Sequence, residues 1–152
     1  MKRTLHPLIL ATALLSTGAL AAAPAAAPRF RAGLWEVTTS SQGEHARSAS
    51  RQRCYTPEQV KVANGSAAEV IAATKANAAT LSLESKGCHV ENIQVVGNQI
   101  TEVVDCPALT LTDVTTYYPG DRFETDTTMT PKKKGAERKT HQSAHRIGDC
   151  TK

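Results

Sequence analysis

Histidine, cysteine and carboxylate side chains are the groups in this chain that could do chemistry, and their spacing limits which chemistry. His141 and His145 would share one face of a helix and could there hold a single metal ion. Their neighbours read as a strand, on which four residues at ~3.4 Å rise lie roughly 13 Å apart, whereas a zinc-ligating nitrogen must come within ~2.1 Å of the ion. Solvated histidines are the better reading, and no metal is expected. His89 beside Cys88 suggests a Cys-His nucleophile, but a disulfide-bonded sulfur has no thiolate to offer. The acids Glu102, Asp105, Asp113, Asp121, Glu124 and Asp126 are scattered over several strands. Two of them could form a glycosidase-like pair if a sheet brought them to ~5–9 Å, but nothing in the spacing asks for it. Threonines and acids on an exposed strand face are common. The sequence holds no GxSxG, HExxH or Gly-rich phosphate loop, so no catalytic residue or cofactor is expected and the chain reads as a non-enzyme.

The four cysteines, Cys54, Cys88, Cys106 and Cys150, include no CxxC pair, and in an exported chain that pattern reads as two disulfides. Cys88 and Cys106 each lie nine residues from Gly97, so a hairpin centred there sets them opposite one another. A tight two-residue turn at Gly97-Asn98 would instead place Cys106 opposite His89. The pairing Cys88 with Cys106 is preferred, which leaves Cys54 with Cys150 as a clasp between the two ends of the domain, its long loop contributing roughly 4 kcal/mol.

Export is read from the N-terminus. Lys2 and Arg3 precede an uncharged apolar run, Leu8 to Ala21, which ends in Ala19-Leu20-Ala21, a site a signal peptidase could cut. The run is shorter than the ~20 apolar residues that span a bilayer. Residues 1–21 are therefore expected to be a cleaved signal peptide, 22–28 an Ala/Pro linker, and 29–152 one disulfide-bonded domain in the periplasm that does not span the membrane.

Turn signals divide that domain. A hairpin is expected from Arg29 to Arg53 around Gln42-Gly43, its second arm polar enough for an edge strand. Thr56-Pro57-Glu58-Gln59 predicts a capped short helix stopped by Asn64-Gly65, and Ser66-Ala67-Ala68-Glu69 caps a second, over about Ala67 to Ala78. Asn64-Gly65-Ser66 also matches a glycosylation sequon, discounted for a bacterial export signal. Gly97-Asn98, Cys106-Pro107, Pro119-Gly120-Asp121 and Pro131 to Gly135 then separate five strands. The fold class is mainly β with a small helical insertion (α+β): a curved antiparallel meander of about seven strands, which could curl as far as a partly open barrel.

Formal net charge is +4, unevenly spread, with basic ends and an acidic middle that can neutralise each other when strands pair. Lys132, Lys133 and Lys134 at a hairpin tip are a candidate contact for an anionic envelope polymer, although a solubilising tip explains them as well. Trp35 reads as a core residue, and Leu34, Trp35, Val104, Leu111 and Phe123 would line an apolar pocket if the sheet curled around one. Nucleic acid is not an expected partner. An envelope protein, an anionic polymer and an apolar small molecule are.

Five motifs in order resemble a known family, the proteobacterial periplasmic proteins with the domain of unknown function 3617. They are Gly33-Leu34-Trp35-Glu36-Val37-Thr38, Cys54-Tyr55-Thr56-Pro57-Glu58, the Cys88 and Cys106 pair, Tyr118-Pro119-Gly120-Asp121-Arg122-Phe123, and His145-Arg146-Ile147-Gly148-Asp149-Cys150. The chain departs from the family pattern in its Ala-rich helix and at Ala108-Leu109. The resemblance implies location and architecture and carries no activity. Three functions follow in order: a noncatalytic binding or interaction module of the cell envelope, a β clamp for an apolar or lipid-like ligand, and an unrecognised enzyme.

Overall fold

The computed structural model describes residues 28–42, 46–80 and 87–150, without the side chains of 78–80. The expected signal peptide, all but the last residue of the linker, and Gly43 of the first turn lie outside them.

Among the described residues, seven antiparallel strands form one open sheet. They are β1 (Gly33–Ser41), β2 (Ser48–Tyr55), β3 (His89–Val96), β4 (Gln99–Asp105), β5 (Leu109–Tyr118), β6 (Arg122–Pro131) and β7 (Arg138–Gly148), in the order β2-β1-β7-β6-β5-β4-β3. Strands β3 to β7 are a meander of hairpins. The opening hairpin then joins at the far side, β1 pairing with β7, so chain ends become sheet neighbours and β2, the polar arm, is an edge. The sheet does not close, because β2 and β3 remain at opposite edges.

Between β2 and β3 run α1 (Pro57–Ala63) and α2 (Ala67–Thr80). Each starts where a side chain satisfies otherwise unpaired N–H groups. The Gln59 N–H donates to Thr56 Oγ1 at 3.4 Å and the Thr56 N–H to Gln59 Oε1 at 2.9 Å. Ser66 and Glu69 repeat the exchange at 3.3 and 2.7 Å. Helix α2 packs on β3, and Val60 and Val70 are the buried residues that turn the pair inward.

Alternation along the strands gives the sheet an inner face under the helices and a polar outer face. One buried cluster on the inner face joins Phe30, Trp35, Val37, Val60, Phe123 and Ala144; Val37 and Phe123 both lie opposite Ala144. A smaller one joins Cys88, Val104 and Cys106, with Val90, Leu109 and Leu111 against it.

The disulfides are Cys54–Cys150 and Cys88–Cys106. The β3–β4 turn is the tight one, with Val96 opposite Gln99 and Gly97 at φ 59°, in the left-handed region that glycine adopts without strain. Such a turn alone would set Cys106 against His89. A bulge between Val90 and Asn92 takes up one residue, so that His89 faces Asp105 and Cys88 faces Cys106. Ion pairs Arg31–Asp121 (3.1 Å) and Lys132–Asp105 (2.7 Å) tie the basic ends to central acids.

Candidate functional site

Between the helix pair and the aromatic end of the inner face lies a cleft of about 560 Å³. Period-two alternation on β2 aims Arg53 and Tyr55 inward, and the same rule aims Tyr117 inward from β5, where it faces Phe123. Phe30 reaches the cleft from the segment before β1, packed on Trp35 at 4.7 Å and Tyr55 at 4.8 Å between ring centroids. Glu58, Gln59 and Val62 of α1 and Val70, Thr74 and Asn77 of α2 form the other wall.

The segment holding Phe30 is clipped to the turn between the helices. The Phe30 N–H donates to Asn64 Oδ1 at 2.9 Å, and the Asn64 amide donates back to the Phe30 carbonyl at 2.6 Å. Arg29 donates to the carbonyls of Ala63, Gly65 and Gly97 at 3.1, 3.0 and 2.9 Å. The Asn64-Gly65-Ser66 triplet thus positions one wall of the cleft.

Three ionisable groups set its electrostatics. The Arg53 guanidinium lies over the Tyr55 ring, 4.7 Å from its centroid. Burial, with a smaller contribution from Tyr55, pushes the Tyr117 phenol up to about 12, while Arg29 pulls the other way, so the hydroxyl stays protonated. Glu58 is held below the usual carboxylate range by the backbone N–H at the helix start and by the Thr56 hydroxyl. Phenol, guanidinium and apolar surface here can hold a ligand by contact area and by donated hydrogen bonds.

The apolar pocket expected from the sequence is not assembled. Trp35 and Phe123 fill the larger core cluster, Val104 and Leu111 belong to the smaller one, and Leu34 points to the outer face, one residue out of phase with Trp35. Curling stops short of enclosing them, and the helices bound the cleft instead. At the β6–β7 tip Lys132 is paired with Asp105, while Lys133 and Lys134 are exposed. His141 and His145 share the outer face with separate partners, Asp126 at 2.8 Å and Glu36 at 3.6 Å.

Of the six acids, two meet: Glu102 on β4 lies directly opposite Asp113 on β5, on the inner face. Burial, then the Asp113 charge, raises the Glu102 carboxyl, and Asp113 Oδ1 is buried without a hydrogen-bond partner among the described residues. Asp113 is four residues from Tyr117, roughly 13 Å along the strand at ~3.4 Å per residue, so the pair stands apart from the cleft. Counting back from the turn after Cys106 would have found it. Sequence reasoning misses Arg53 as the end of a polar edge strand and Tyr55 as lying beyond that strand; their signal is the period-two run Arg51, Arg53, Tyr55.

Residues 30–150 match the profile of a family described as a protein of unknown function, DUF3617. No curated protein and no solved structure matches the chain.

Proposed function

This chain belongs to the DUF3617 family, and from that premise we propose that it is a noncatalytic binding module of the cell envelope whose ligand lies between the helix pair and the sheet. The cleft is the observation that carries the reading. Its volume, about 560 Å³, falls inside the ~300–1,000 Å³ typical of small-molecule sites. Aromatic rings form its floor, and the capped α1 and clipped Phe30 hold its walls in place without a ligand. Two disulfides suit an oxidising compartment outside the cytosol, and the N-terminal export pattern supports the same address.

Native mass spectrometry of the exported protein, before and after denaturation, tests this. A small molecule should copurify and leave on denaturation. Thr74→Trp, which fills the cleft from α2, should emerge without it. A wild-type protein as bare as Thr74→Trp overturns the reading, as does a ligand that Thr74→Trp retains.

A further inference from the structure

We infer that the occupant of this cleft is a single amphiphile monomer with one anionic group, its apolar part against Phe30, Val62 and Val70 and its anion on Arg53; this rests on the binding reading above. Arg53 lies on the inner face of the edge strand, opposite Trp35, and makes no ion pair among the described residues. Stacking on Tyr55 occupies the face of the guanidinium and leaves its N–H edge free for a carboxylate or phosphate.

The other charges around the cleft are already answered. Arg29 gives three of its hydrogen bonds to carbonyls, and the Glu58 carboxylate has the helix start and Thr56. Arg51, two residues before Arg53 and on the same face, adds a second cation with no ion pair among the described residues, beside Thr39 and Gln142. Neither phenol hydroxyl, of Tyr55 or Tyr117, hydrogen-bonds to another described residue, and the Tyr117 proton is retained up to about pH 12. A guanidinium edge and two phenols are thus among the donors that face a ligand here. Arg53 is the one cation among the lining residues, and the apolar part of the lining, Phe30, Val62, Ala63 and Val70, suits a chain with one charged end better than a polyanion.

Trp35 is the only tryptophan, and its ring contacts Phe30 and Tyr55, both cleft residues, so its fluorescence reports occupancy. Dodecanoate, dodecanol and dodecyltrimethylammonium, each below its micelle concentration, should be titrated against the oxidised protein. Dodecanoate should bind about tenfold more tightly than dodecanol, the lower end of the worth of a charge-assisted hydrogen bond, with the ammonium weakest. Arg53→Gln should collapse the dodecanoate-to-dodecanol ratio to about one, Arg53→Lys should keep most of it, and Arg122→Gln on the outer face should leave it intact. Equal binding of dodecanoate and dodecanol to the wild type, or a ratio that survives Arg53→Gln, overturns the inference and leaves the cleft reading standing. Failure of all three probes to bind overturns both.

Discussion

The two halves of the inner face are held together by different means. Five of the six aromatic residues, Phe30, Trp35, Tyr55, Tyr117 and Phe123, gather in the half built on β1, β2, β5, β6 and β7, with contacting ring centroids 4.7 to 6.2 Å apart. The sixth, Tyr118, is on the outer face under Arg122. The half built on β3 and β4 has no ring in its cluster. Aliphatic side chains surround the Cys88–Cys106 bridge there, and a pair of opposed acids sits on the same face. A chain so poor in aromatic residues concentrates them where the cleft needs rigid walls and closes the remainder covalently. Dispersion and apolar burial stabilise the native state of the first half, whereas the bridge chiefly restrains the unfolded chain.

Removing the centre of the first half should have the largest effect. Trp35 is fully buried and touches three rings, so Trp35→Ala should cost about 4 kcal/mol in urea unfolding. The double replacement Cys88→Ser with Cys106→Ser opens a loop of sequence separation 18 and should cost about 3 kcal/mol. Its damage should also be local: hydrogen exchange should quicken in β3 and β4 well before β1 and β7. Uniform acceleration over all seven strands, or a bridge loss costlier than Trp35→Ala, would break the contrast between the halves.

Much of the scaffold was legible because it rests on local chemistry. Gly97-Asn98, Pro119-Gly120 and the two capping boxes are short-range signals, and the strands and helices fall where those residues put them. The core face was not legible. On the inner face, Trp35 and Val37 continue into Thr39, and Phe123 into Thr125 and Thr127, so the period-two signal fades along each strand. Pairing of β1 with β7 joins residues about a hundred positions apart and leaves no local mark. The bulge that sets Cys88 opposite Cys106 is equally silent, since Glu91 resembles any polar strand residue. The cleft needed all of this at once: Arg53, Tyr117 and Val70 come from an edge strand, a central strand and a helix.

Alkali separates the halves through Tyr117. Its folded-state pKa, about 12, lies above the ordinary phenol value of 10.0, so between those pH values the unfolded chain releases a proton that the native protein retains. The stability this group contributes is present in full below pH 10 and is lost as pH rises toward 12, a loss on the order of 2 kcal/mol. Tyr117→Phe should flatten that part of the pH-stability curve. An equal slope in both proteins would mean the aromatic half is wetter than its packing indicates.

The smallest effect, and the only stabilising one, belongs to the other half. Glu102 is raised by burial and by the opposed Asp113, so at neutral pH its ionised form is disfavoured in the native state. The stability linked to its protonation is present below the unfolded value near 4.5 and is lost as pH rises through the higher folded value. Glu102→Gln keeps the shape and removes the repulsion, so at pH 7 it should be about 0.5 kcal/mol more stable than wild type, with the advantage vanishing near pH 4. Asp113→Asn should act in the same direction, because Oδ1 is buried without a partner and loses its share of charge. If Glu102→Gln destabilises the protein at pH 7, the two acids share a proton or hold a cation, and the bridged half is then functional in its own right.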